Sequence, residues 1–133
     1  MVKRRMTQRD YTALADFRYE LRRFLRFSEE AARAAGTTSL RYQLLLQLRG
    51  APAGYALVGT LAERLQMVPH GVVSLISRCE RAGLVRRTAD AADRRRVRVR
   101  LTARGRALVE RVAQLHVDEL QHQVQALAPL LKR

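Results

Sequence analysis

A single cysteine, Cys79, stands in 133 residues, so no intrachain disulfide can form and no cysteine-rich zinc site exists; that scarcity fits a reducing cytosol. No apolar run approaches the roughly 20 residues of a membrane span. The opening stretch MVKRRMTQRDY is basic but has no apolar segment behind it, so a secretory signal is not expected either. The sequence also lacks a glycine-rich phosphate loop, a nucleophile elbow and a zinc-protease histidine pair, which leaves catalysis without a constellation and calls for no cofactor. Acidic residues are few. Twelve Asp and Glu oppose twenty-six Lys and Arg, a formal net charge of +14.

That excess is far more than solubility requires, and it makes a polyanion, nucleic acid first, the expected partner. The charge is also localised. From Arg81 to Arg106 ten arginines face only Asp90 and Asp93, whereas residues 107–133 carry three basic and three acidic side chains. With 47% hydrophobic residues the chain can build one domain with a core, or a domain with a dimerisation arm.

Periodicity divides the chain. Leu14, Phe17, Leu21, Phe24 and Leu25 recur at spacings of three and four, predicting an amphipathic helix from Tyr11 to about Ala35, closed near Gly36. A second helix, Leu40 to Leu48, is nearly apolar through Leu44, Leu45, Leu46 and Leu48 and should be buried. The glycine-containing stretch GAPAGYALVG reads as a loop with a short extended piece at Tyr55 to Val58. A short helix, Thr60 to Leu65, a break at QMV, and a helix from Pro69 to Ala82 follow. The last of these should bury Val72, Leu75, Ile76 and Cys79, leaving His70, Gly71, Ser74, Ser77, Arg78 and Arg81 on or near the other face.

The period then changes to two. GLVRRT and RRRVRVRLT read as strands around the turn ADAAD, with Val97, Val99 and Leu101 on one side and Arg96, Arg98 and Arg100 on the other. A solubilising face would mix signs rather than stack three arginines. Thr102 is placed to cap a final helix, in which Val117, Leu120, Val124, Leu127 and Leu131 form a seam suited to another helix. A short helix, a break, a second helix with a polar outer face and a two-stranded ribbon make a winged helix-turn-helix. The second helix is slim enough for a major groove, and an arginine-bearing ribbon beside it suits phosphates or the adjacent minor groove.

Over Leu61 to Val109 the segments LAERL, ERAGLVRR, DAADRRR and LTARGRAL, in this order, closely resemble the MarR family of bacterial transcriptional regulators. The resemblance implies a mainly α fold with a small β-wing. Its parts would be an N-terminal dimerisation helix (1–36), a winged helix-turn-helix DNA-binding domain (37–102) and a C-terminal dimerisation helix (103–133). It implies a cytoplasmic homodimer on double-stranded DNA, associated with the nucleoid when bound. In this family such a protein is most often a repressor released by a small aromatic or phenolic effector. By position, His70, Gly71, Val73, Ser74, Ser77 and Arg78 of the recognition helix and Arg86, Asp93, Arg94, Arg95 and Arg96 of the wing would form the DNA-binding set, Asp93 orienting Arg95 for the minor groove. An effector crevice would draw on Tyr19, Arg23, Tyr42 and Leu108.

Two features depart from the family. Pro69, His70 and Gly71 stand where Ser or Thr is frequent, so base preference does not transfer. The chain also stops soon after QALAPLLKR, where many members continue into a further helix, leaving either a smaller dimer interface or a shortened chain. Some branches sense peroxide through a cysteine near the start of the first helix; Cys79 instead shares the apolar face of Val72 and Ile76 and reads as core. His116 with Glu119, and Asp118 with His122, have metal-ligand spacing on a helix, but no third ligand accompanies them and no metal is expected. An architectural, sequence-independent nucleic-acid binder is the alternative. An adaptor using the helical seam alone would leave the arginines unexplained.

Overall fold

The computed structural model describes residues 5–131, without the side chains of 126, 127, 129, 130 and 131, so the expected seam positions Leu127 and Leu131 lie outside the described side chains. Helix α1 spans Gln8–Ala34. It opens with a reciprocal cap in which the Thr7 amide donates to the Asp10 carboxylate at 2.8 Å and the Asp10 amide donates to Thr7 Oγ1 at 3.3 Å. The left-handed turn at Gly36 (φ 84°) ends it, and Thr38 then caps α2, Ser39–Arg49, by accepting the Arg41 amide.

Strand β1 is only Ala56–Leu57, and α3, Val58–Leu65, follows without a spacer. Helix α3 therefore starts two residues before its expected position, with Leu57 as its N-cap. The expected break is Gln66, held left-handed at φ 52° while its amide group donates to the Glu63 carbonyl at 2.8 Å. Helix α4, Pro69–Arg81, starts with the proline in its first turn, where no amide is missed. Strands β2, Val85–Ala89, and β3, Val97–Leu101, form the wing, and α5 runs from Ala103 to Leu131.

The wing is not a two-stranded ribbon. Strand β3 is central in an antiparallel sheet of order β1-β3-β2, with Ala56 opposite Val99 on one side and Arg87 opposite Val99 on the other. Beneath the sheet lies one core built from Leu44, Leu45, Leu48, Leu61, Val72, Leu75, Ile76 and Val99, joined by Ala32 of α1 and by Val109 and Val112 of α5. Each fully buried aliphatic side chain contributes about 1.5–3 kcal/mol of burial energy. The long helices are thus anchored in the same core as the helix-turn-helix. Leu46 is the exception to the expected burial of α2, being 39% exposed on the helix's outer face.

The join between sheet and last helix is tight. Thr102 Oγ1 accepts the Gly105 amide at 3.0 Å and donates to the Gly83 carbonyl, while the Thr102 amide donates to the Leu84 carbonyl at 3.0 Å. Further along α5, buried His116 lies parallel to Tyr42 at 5.0 Å, with Phe24 and Phe27 edge-on. Its Nδ1 donates to the Val112 carbonyl at 2.8 Å, leaving Nε2 to accept from the Ser28 hydroxyl at 2.9 Å. Both ring nitrogens are therefore engaged inside the fold. Among the described residues no group of three metal-ligating side chains forms, and no helix is long and apolar enough to cross a membrane.

Candidate nucleic-acid interface

Helix α4 is divided by its period into an inner and an outer face. Val72, Leu75, Ile76 and Cys79 are buried, and burial pushes the Cys79 thiol above its ordinary range. His70, Val73, Ser74 and Arg78 are exposed, and Gly71 and Ser77 are half-buried at the flanks of that outer face. The Arg78 guanidinium folds back on the preceding turn, donating to the Ser74 hydroxyl at 3.4 Å.

The wing tip is built by two carboxylates acting in series. Asp90, only 6% exposed, accepts the Asp93 amide at 3.1 Å and a hydrogen bond from Arg98 Nε. The turn closes through Asp90 N to Arg96 O at 2.9 Å and Arg96 N to Asp93 O at 3.0 Å. Asp93 then receives the Arg95 amide at 3.0 Å and Arg95 Nε at 3.2 Å on one oxygen, with the second guanidinium nitrogen 3.5 Å from the other. The Arg95 side chain remains 90% exposed while it is held. The hydrogen bond from Arg98 holds the Asp90 carboxyl below the ordinary carboxylate range, and the Arg95 amide and guanidinium do the same for Asp93.

The remaining wing arginines divide into two kinds. Arg98 does not stand free on the outer face as its alternation suggested: besides bonding Asp90, it packs 4.1 Å above the Tyr55 ring, with Arg100 at 5.1 Å from the same ring. Arg87, on the core side of β2, is gripped by Glu80 of α4, which accepts its amide at 3.0 Å and its guanidinium at 2.9 and 3.1 Å. That grip, led by the backbone amide, lowers the Glu80 pKa. Arg86, Arg94 and Arg96 are exposed, and Arg86 lies directly opposite Arg100 in the ladder. Like charges so placed repel.

Val73 of α4 and Arg95 and Arg96 of the wing border one open groove of about 860 Å³, whose other wall is the start of α3 with Thr60, Glu63 and Arg64. Thr60 and Arg64 carry no signal of this placement in the sequence. The four residues expected to form an effector crevice are not gathered. Tyr42 is stacked in the core, Tyr19 and Arg23 pair on the exposed side of α1 at 5.9 Å, and Leu108 borders a separate cavity.

The model of the MarR family matches residues 35–96, the segment that contains α2, the helix-turn-helix and the wing tip. Over that segment the chain is similar to the MarR family. The family is one of transcription regulators rather than enzymes. Among solved structures, the chain is similar to AbsC, a MarR family transcriptional regulator from Streptomyces coelicolor, at 25% identity over 91% of this chain and 82% of that one, with a TM-score of 0.79. In fold it is similar to Sco3205 from Streptomyces coelicolor, solved in complex with DNA, at 23% identity over 92% and 78% of the two chains and a TM-score of 0.77. A mutant of MarR from E. coli complexed with operator DNA shares the fold at 23% identity over 83% and 78%, TM-score 0.71. A search of curated proteins by sequence found no match.

Proposed function

We propose that this chain is a dimeric, sequence-specific DNA-binding regulator of the MarR type, acting as a repressor, with α4 in the major groove and the wing at the adjacent minor groove. The observation that carries the reading is the pairing of a polar, exposed α4 face with a guanidinium, Arg95, that is pre-oriented by Asp93 yet almost fully exposed. A minor groove's negative potential attracts an arginine so presented, and holding it in advance lowers the ordering cost of binding. In this reading His70, Gly71, Val73, Ser74, Ser77 and Arg78 face bases or the groove wall, and Arg86, Arg94 and Arg96 take phosphates. Structures of Sco3205 with DNA and of MarR with operator DNA support the partner assignment.

The dimer rests on apolar surface. Tyr11, Leu14 and Leu25 of α1 and Leu115, Val117, Leu120 and Val124 of α5 are each at least 43% exposed, and so many large apolar side chains left exposed on two long helices support a protein interface there. Residues 1–36 and 103–133 would then be dimer-forming arms around a DNA-binding unit, 37–102. Two recognition helices must fit successive major grooves roughly 34 Å apart, so any ligand that changes their separation weakens binding.

Competition tests the reading. Labelled duplex from the region upstream of the protein's own gene should resist displacement by a large excess of unrelated duplex; equal displacement would favour an architectural, sequence-independent binder. Within the same assay, Asp93→Ala should weaken binding although it adds positive charge, because Arg95 loses its orientation. Tighter binding of that variant would show that bulk charge outweighs geometry.

A further inference from the structure

A cavity of about 290 Å³ lies at the joint where the α1–α2 turn, the end of α4 and the first turns of α5 meet. Arg41, Arg104 and Arg111 border it, and its wall contains no acidic side chain. No hydrogen bond or ion pair from these three guanidinium groups to a described residue is formed, in contrast to Arg87, Arg95 and Arg98. Arg41 and Arg104 also stand in the first turns of α2 and α5, where the helix dipole disfavours cations, and neither turn holds an acidic residue. The positive charge here is therefore uncompensated twice over. Arg104 approaches the turn at Gly83, beside the carbonyl end of α4, which offsets part of one charge only.

Thr37 belongs to the same wall but is only 8% exposed, with its Oγ1 buried beneath the surface. The rest of the wall is apolar or small, with Ala35, Ala82, Leu84, Ala107 and Leu108.

The geometry points to a binding site for a small phosphate monoester, its dianionic head taken by Arg41, Arg104 and Arg111, and its short carbon body against the alanines and leucines. Three cations match a dianion better than a single carboxylate, and the volume, at the low end for ligand pockets, excludes a nucleotide-sized compound. The site joins the element that follows the recognition helix to the first turns of α5, so an occupant would brace that joint. The inference stands on these residues and not on the DNA reading.

Calorimetric titration of the full chain without DNA, at fixed ionic strength, tests it with glycerol phosphate, inorganic phosphate and glycerol. Glycerol phosphate should bind, inorganic phosphate more weakly, and glycerol not at all; equal binding of the two phosphates would assign the site to the free ion and overturn the monoester. Arg111→Gln and Arg41→Gln should each weaken binding about tenfold or more, as expected for loss of a charge-assisted contact. Arg22→Gln, which removes the same charge from an exposed position of α1, should leave affinity unchanged. If Arg22→Gln weakens binding as much as Arg111→Gln, the effect is general electrostatics and the site is refuted.

Discussion

Replacing Gly105 with alanine should destabilise the protein, against the usual direction of a glycine-to-alanine change in a helix. A Cβ at Gly105 would lie 2.0 Å from the Leu84 carbonyl oxygen and 2.9 Å from its carbonyl carbon. Restoring an ordinary contact near 3.5 Å requires a movement of about 1.5 Å. Both partners are backbone, so no side chain can turn aside. The same carbonyl accepts the Thr102 amide at 3.0 Å, and the movement breaks that bond. Overpacking of this kind costs about 1–3 kcal/mol, and a buried carbonyl left unpaired about 1–3 kcal/mol more. Alanine's helix propensity returns about 1 kcal/mol. The expected loss is about 1–5 kcal/mol, centred near 3, or a melting temperature lower by roughly 10 °C for a chain of this size. Thermal melts at one matched protein concentration measure it, since association would shift the midpoint. Gly59→Ala, in α3, where an added Cβ meets nothing within 4 Å, is the control and should melt unchanged or slightly higher. A Gly105→Ala protein as stable as the wild type would refute the close approach of α5 to Leu84.

Acid should loosen the wing. Asp90 and Asp93 are held below their ordinary value of 3.8, so their contribution is complete above that value and disappears as pH falls through the lowered ones. Protection of the amides at residues 90–97, taken relative to their intrinsic exchange rates at each pH, should therefore fall below about pH 4, and Asp90→Asn should reproduce part of that loss at neutral pH; unchanged protection in either would show that the tip does not depend on these carboxylates. If the proposed dimer uses the apolar face of α5, Leu120→Glu or Val117→Glu should convert it to monomer in sedimentation without unfolding it, because a charge buried in an apolar interface is costly while the same charge on a free face is not. A dimer that survives both changes would place the interface elsewhere.

Much of this architecture is legible in the chain, for reasons that differ by element. The face of α4 could be read residue by residue, because Val72, Leu75, Ile76 and Cys79 obey a helical period and all four are buried. Thr102 could be read as a cap because its hydroxyl precedes an apolar period, and it accepts the Gly105 amide. The pairing of Asp93 with Arg95 is also local, only two residues apart. What escaped sequence reading is long-range. The short extended piece at Tyr55 to Val58 was legible, but its partner was not: the pairing of Ala56 and Leu57 with Val99 and Arg98 closes more than forty residues of chain. Tyr55 consequently meets Arg98 and Arg100, and Arg98 meets Asp90, only once the sheet is formed. Alternation says which face an arginine occupies. Whether it is free to meet another molecule depends on partners brought from elsewhere.

That division of the arginines has a consequence for salt. Each acidic residue around the wing is already committed: Glu80 to Arg87, Asp90 to Arg98, Asp93 to Arg95. Arg86, Arg94 and Arg96 are exposed without such a partner among the described residues, and Arg86 and Arg100 oppose one another across the ladder. In the free protein this surface repels itself, and screening relieves the repulsion, so raising salt from about 0.05 M to 0.2 M, which shortens the screening length toward 8 Å or less, should stabilise the unbound chain or leave it unchanged. The same salt should weaken DNA binding steeply, because each phosphate contact releases a counterion and each lost arginine lowers the slope by about one. Arg94→Gln should thus flatten the salt dependence of binding and leave that of melting nearly intact, whereas Arg98→Gln should lower the melting temperature. The two series together separate arginines that hold the wing from arginines that meet DNA. If Arg98→Gln behaves like Arg94→Gln in both measurements, the bond to Asp90 does not hold the wing.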